Sequence, residues 1–203
     1  MSRLGGWLLG ALLLGTALGG KALEPTTPLA DYGRQSWAME NGLPQNTIHA
    51  VAQTRDGFVW LGTEAGLVRF DGNTFSVFDA GSSPALPSGD IRCLLATGDG
   101  ALWVGTSSGL ARWKDGAVTA FGTRDGLPGE SIRALVETAN GVLWVWTDQG
   151  LTRLEEDRFV DSTGATGFAA SAISRVTADG HGALWVGTQD SASIYRDGHW
   201  TAP

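Results

Sequence analysis

The sequence predicts an all-β chain: a β-propeller of four-stranded antiparallel blades, about four of them, forming an incomplete ring. Three observations carry this. A Trp-centred run recurs four times at a nearly constant interval. Short β-compatible segments are separated by tight turns bearing Gly. After the N-terminal segment, no ten-residue stretch shows a helical period.

The chain opens with Arg3 followed by an uncharged Leu-, Gly- and Ala-rich stretch to Leu18, then the small residues Gly19, Gly20 and Ala22. This pattern reads as a secretory signal peptide over residues 1–22. Its apolar core is shorter than the roughly 20 residues needed to span a bilayer. Gly15 to Lys21 spells a phosphate-loop pattern, but Ala22 follows instead of Ser or Thr and no strand precedes it, so the match is fortuitous. A linker is expected over 23–30, and the propeller over 31–203. Residues 31–38, around Tyr32–Trp37, read as an orphan outer strand.

The blades are expected at about 43–85, 86–126, 127–165 and 166–203. Their centres are Trp60-Leu61-Gly62-Thr63, Trp103-Val104-Gly105-Thr106, Trp144-Val145-Trp146-Thr147 and Trp185-Val186-Gly187-Thr188, with Trp-to-Trp steps of 43, 41 and 41. In the first copy, Ile48–Gln53, Phe58–Gly62, Leu67–Phe70 and Phe75–Phe78 read as strands joined at Asp56-Gly57, Ala65-Gly66 and Asp71-Gly72. Such units with a period in the low forties suit a propeller, because one small sheet cannot cover both of its own faces. Trp60, Trp103, Trp144 and Trp185 are therefore expected as apolar plates between neighbouring blades. The Gly two residues later would allow close backbone approach. Copy three carries Trp146 at that place, which predicts local repacking or a site.

These residues resemble the two-component regulator propeller repeats. Gly42-Leu43-Pro44, Ile48, Asp56-Gly57, the Trp60–Thr63 run, Gly66-Leu67-Val68-Arg69 and Asp71-Gly72 follow that pattern nearly throughout. Copy two follows it from Leu86 to Gly116. Copy three departs at Trp146 and lacks the Gly after Asp157. Copy four departs at Ser191, Ala192 and Ile194. The resemblance implies the extracytoplasmic, periplasmic sensor region of a histidine kinase or diguanylate cyclase receptor. It implies an N-terminal portion of such a region, with the membrane helix and output domain absent from this chain. Membrane association would then come only through the signal peptide or those absent regions.

Composition narrows the function. The chain has 203 residues, 14 Lys plus Arg against 21 Asp plus Glu, and a formal charge of −7. Removing residues 1–22 makes it more acidic by two charges. A nucleic-acid partner, which needs a basic face, is not expected. The single cysteine, Cys93, excludes an intramolecular disulfide and reads as a buried small apolar residue. The three histidines fall at different blade positions and imply no metal site. The Asp residues of the Asp-Gly turns are turn formers without a calcium-loop cluster. Gly105 to Gly109 spells Gly-x-Ser-x-Gly, but in a hairpin turn where the first copy has no Ser.

The inner strands begin in register: Ile48-His49, Ile91-Arg92, Ile132-Arg133 and Ile173-Ser174-Arg175. His49, Arg92 and Arg133, with Arg175 one step off, would line the central funnel as a local positive spot for carboxylate or sulfate groups. The competing reading of these residues is a solvated rim or salt bridges to loop acids. Arg69, Arg112 and Arg153 recur on the third strand, where pairing with a neighbouring blade is expected. The function predicted is a non-enzymatic ligand-binding or sensing module for a small molecule or saccharide, anionic ligands included, with no cofactor and no catalytic residue. A periplasmic lyase or hydrolase and a protein-interaction scaffold are the alternatives. Open blade edges would favour self-association.

Overall fold

The computed structural model describes residues 35–83 and 85–201. The chain divides into units at 1–36 and 37–203, and every described strand belongs to the second. The expected signal peptide, the linker and residues 31–34 of the orphan strand lie outside the described residues; 35–38 form no strand.

Sixteen strands make four sheets of four, each a meander in chain order. Blade 1 is β1 (Ala50–Gln53), β2 (Val59–Thr63), β3 (Gly66–Phe70) and β4 (Phe75–Phe78). Blade 2 is β5 (Ile91–Ala96), β6 (Leu102–Thr106), β7 (Gly109–Lys114) and β8 (Ala117–Phe121). Blade 3 is β9 (Ile132–Glu137), β10 (Leu143–Thr147), β11 (Leu151–Glu155) and β12 (Arg158–Asp161). Blade 4 is β13 (Arg175–Ala178), β14 (Leu184–Gly187), β15 (Ala192–Arg196) and β16 (His199–Thr201). The expected blade boundaries enclose these sets.

The repeated Thr has a role that its position alone does not reveal. The hydroxyls of Thr63 and Thr106 donate to the carbonyls of Gly66 and Gly109 at 2.8 Å and accept the Ala65 and Ser108 N–H. Thr147 and Thr188 do the same toward Gly150 and Ser191. Each closes the β2–β3 type of turn from inside. The outer turns use left-handed residues, which suit tight hairpins. Asp115 and Gly116 have φ of 50° and 77°. Glu156 and Asp157, in the blade that lacks the Gly, have φ of 45° and 65°.

Neighbouring blades stack face to face, and the core lies between them. Trp60 and Leu67 of blade 1 pack with Ile91, Leu102 and Val104 of blade 2. Trp103 and Leu110 pack with Ile132, Leu143 and Val145, and Trp144 and Leu151 with Ile173, Leu184 and Val186. Each buried indole removes on the order of 200 Å² from water, about 5 kcal/mol of transfer free energy. The Gly after each plate is a socket. A Cβ on Gly62 would stand 2.7 Å from the Ile91 methyl, and one on Gly105 2.7 Å from that of Ile132. Trp146 replaces the socket in blade 3 and packs within the cluster that contains Ile173.

The stack does not close. Inner strands β1, β5, β9 and β13 adjoin in sequence, while among the described residues β13 makes no comparable contact with β1. The end faces show it. Trp185 is 37% exposed, whereas Trp60, Trp103 and Trp144 are at most 3% exposed, and Val51 on the opposite end is 63% exposed. Blade 1 has one further covering. Met39–Asn41 forms a single 3₁₀ turn ending at Gly42 (φ 104°), as Thr123–Asp125 ends at Gly126 (φ 99°). Trp37 precedes the first turn as Phe121 precedes the second. Trp37 lies 5.0 Å from the Phe70 ring and 6.3 Å from Phe75, much as Phe121 lies 5.6 Å from Phe159 of the next blade.

Candidate functional site

The starts of the inner strands are irregular in a repeated way. Ile91 pairs with Thr106 and Cys93 with Gly105, which leaves Arg92 unpaired between them. Ile132 pairs with Thr147 and Ala134 with Trp146, which leaves Arg133 unpaired. Each is a β-bulge, a device that re-aims one side chain out of the ladder. His49 holds the same place in blade 1, its N–H reaching the Gly62 carbonyl at 2.8 Å beside the Ala50–Gly62 pair. In blade 4 the place belongs to Ser174, whose N–H reaches the Gly187 carbonyl at 2.8 Å. All four residues are exposed.

Arg175 does not join this set. It pairs opposite Gly187, one step further along, where the other blades carry Ala50, Cys93 and Ala134. One residue of phase turns the side chain to the other face of the sheet.

His49 and Arg92 meet in one cavity of about 300 Å³, lined also by Glu64 and Asp90. His49 Nε2 stands 3.3 Å from Glu64 Oε1, and an Arg92 Nη 3.1 Å from Asp90 Oδ2. Gln45 Nε2 donates to the other Glu64 oxygen at 3.1 Å. The expected positive spot is therefore balanced here by two carboxylates. Neither acid was singled out in the sequence: Glu64 sits on the β2–β3 turn and Asp90 just before Ile91, and the meander brings both to the end of the blade where His49 and Arg92 lie. Arg133 has a different neighbour. Its guanidinium lies 5.8 Å from the centre of the Trp146 ring, a cation–π contact. Among the described residues no carboxylate pairs with it. Trp146 thus serves both readings of the broken motif: it repacks the blade interface and supports a cation at the rim. Its indole nitrogen and Asp148 Oδ1 nearby in sequence are buried without a partner.

The remaining candidates lie away from this rim. The third-strand arginines lie over aromatic rings: Arg69 4.5 Å from the Phe58 centroid, Arg112 5.7 Å from Trp103 and Arg153 5.7 Å from Trp144. Only Arg112 also reaches the next blade's acid, Asp157, at 3.9 Å among the described residues. The Asx turns hold their carboxylates with backbone donors. Asp71 accepts from the Thr74 and Asn73 N–H and from the Thr74 hydroxyl, which brings its pKa to about 2. Burial pushes the Cys93 thiol up to about 12, so it is protonated and inert at neutral pH. Ser107 of the Gly-x-Ser-x-Gly run contacts the Ser88 hydroxyl at 3.1 Å. Among the described residues no three His, Cys, Asp or Glu gather as a metal site.

Comparison with known proteins agrees with this architecture. The family model described as two component regulator propeller matches residues 42–65 and 85–108. No curated protein matches. The extracellular domain of a hybrid two component system from B. thetaiotaomicron superposes with a TM-score of 0.68 at 20% identity, over 83% of this chain and 26% of that one. Virginiamycin B lyase from Staphylococcus aureus gives 0.58 at 16% identity, over 76% and 54%. A streptogramin B lyase gives 0.59 at 17%, over 79% and 55%. The chain spans about a quarter of the first and about half of the lyases, and at these identities the likeness is one of fold. The described unit is made of four β-propeller blades, and the stretches 42–65 and 85–108 match the two component regulator propeller model.

Proposed function

We propose that this chain is the extracytoplasmic, periplasmic binding segment of a signal-transduction receptor, and that it takes an anionic small molecule or saccharide at the bulged ends of its inner strands. The observation that carries the reading is the bulge. The same distortion recurs at Arg92 and Arg133 and sets a cationic side chain free of the ladder in blades 2 and 3, with His49 in the matching place of blade 1. Arg92 is met by Asp90, whereas Arg133 has no carboxylate partner among the described residues, which leaves a cation for a ligand anion to meet. The two component regulator repeats and the fold shared with a two-component extracellular domain support the receptor context. Signalling would follow from differential affinity: a ligand gripping two blades favours the blade arrangement that presents both cations to it.

Calorimetric titration with glucuronate and with a sulfated disaccharide tests the proposal. Loss of charge-assisted contacts in an Arg92→Ala/Arg133→Ala double variant should weaken binding by roughly tenfold to a hundredfold. Unchanged affinity in that variant sinks the site. A catalytic reading has one observation behind it, the His49–Glu64 pair at 3.3 Å on a fold shared with lyases. New product in the same incubations, lost in His49→Ala, would establish it instead.

A further inference from the structure

The opposite end of the blades holds a second site. The β1–β2 and β3–β4 types of turn lie at the end away from the bulges. Between blades 1 and 2 they enclose a cavity of about 340 Å³, walled by Trp60, Trp113 and Leu102 and edged by Arg69, Arg55 and Lys114. We propose that this groove binds a small ring-bearing carboxylate, with Arg69 as its anchor.

The three interblade seams act as internal controls. Each has an Arg on the third strand lying across the repeated Trp: Arg69 with Trp60, Arg112 with Trp103 and Arg153 with Trp144. At the second seam Asp157 of the next blade stands 3.9 Å from Arg112. At the third, Glu155 on its own strand pairs with Arg153. At the first seam no carboxylate of the described residues pairs with Arg69. The reason is readable in the turns. Lys114 pairs with Ala117 and Glu155 with Arg158, so Gly116 occupies the turn position that Asp157 occupies one blade later. The missing side chain leaves room where the acid would be.

Two carboxylates, Asp56 and Asp115, line the cavity, and neither pairs with Arg69 among the described residues. Lys114 is committed to Asp99 at 2.6 Å. Asp56, at the edge, is tied to the Thr54 hydroxyl and the Phe58 N–H. Arg69 lies half-buried over the rings of Phe58, Trp60 and Phe78, which positions its guanidinium without neutralising it. A ligand carboxylate would complete the seam as Asp157 does next door. Its ring would lie against Trp113, whose indole is 5.0 Å from that of Trp60. The volume is at the lower end for small-molecule sites, which suits a single ring.

Titration of the whole chain with benzoate, against uncharged benzamide, tests this. Wild type should bind benzoate at least tenfold more tightly than benzamide. Arg69→Met should erase that preference. Gly116→Asp should erase it too, by supplying the acid internally: a Cβ there meets nothing within 4 Å, and Asp157 already holds the left-handed conformation at the matching place. Gly116→Asp carries the strain of a side chain at φ 77°, so Gly116→Ala, which carries the same strain without supplying an acid, is the control and should keep the preference. The Arg92→Ala/Arg133→Ala variant should keep the preference, since the two sites lie at opposite ends. No benzoate preference in wild type, or a preference surviving in Gly116→Asp, overturns the proposal.

Discussion

Replacing Gly105 by Ala tests the blade stack most directly. Gly105 lies in extended β6, so Ala is allowed by the backbone. The change alone should stabilise by about 0.4–1 kcal/mol through the unfolded chain. The added methyl, however, would meet the Cys93 sulfur and stand 2.7 Å from the Ile132 methyl and 3.0 Å from its Cβ. Ile132 is wholly buried in the next blade and has nowhere to retreat. Overpacking of this kind costs about 1–3 kcal/mol. The net expectation is a loss of about 1–2 kcal/mol, or a melting temperature lower by roughly 2–8 °C for a chain of this size. Gly187→Ala is the control at the equivalent position of blade 4. There the nearest atom to the new methyl is the Arg175 carbonyl oxygen, at 3.9 Å, because no blade covers that face. That variant should melt at or slightly above wild type. Differential scanning calorimetry of the three proteins decides it. If Gly105→Ala melts as high as wild type, or Gly187→Ala falls as far as Gly105→Ala, the socket argument and the open end face are both wrong.

Two further outcomes follow from the same geometry. Acrylamide should quench a tryptophan population that Trp185→Phe removes, whereas Trp144→Phe, at a site 1% exposed, should leave the quenchable fraction intact and lower the melting temperature. Asp179 accepts from the Ala183 and His181 N–H, the Trp185 indole and Arg196, and these donors hold its pKa at about 2, below the ordinary 3.8. A depressed carboxylate stabilises the fold fully above its unfolded pKa and loses that contribution as pH falls from about 4 through about 2. Melting curves between pH 5 and 2 should therefore fall more steeply for wild type than for Asp179→Asn, and equal slopes would refute the assignment.

The architecture was legible because its cause is local and repeated. The Trp run, the Asp-Gly turns and the short strands recur in phase, so each blade's strands and turns are written within its own forty residues, while its core is completed by the next blade. What the sequence concealed were the relations between copies. The pairing of Arg92 with Asp90 and of His49 with Glu64 depends on the meander returning to the same end of the sheet. The sequence register placed Ser174 beside the other three and Arg175 one step out, and the strand pairing agrees, but it could not show the bulges that free Arg92 and Arg133 from the ladder. The Gly of the Trp motif read as a site of close approach, yet its partner, the Ile that opens the next blade, lies nearly thirty residues further on. The third-strand arginines were expected to pair across blades because they repeat. What repeats is their contact with aromatic rings, and the acid partner changes at every seam.

That last point gives a rule for separating framework from function in a chain written four times. Where a side chain makes the same contact in successive copies, as the Thr hydroxyls do inside their turns, the fold is sufficient reason for it. Where the backbone is the same and the side chain differs, the fold leaves the choice free. The bulge position carries His49, Arg92, Arg133 and Ser174 on one geometry, and the turn position facing the seam carries Gly116 in one blade and Asp157 in the next. At the first of these positions the variation sets exposed polar groups along one rim. At the second it leaves a half-buried guanidinium without its acid. Both are departures that folding does not require, and that is the ground on which the two ligand sites are proposed.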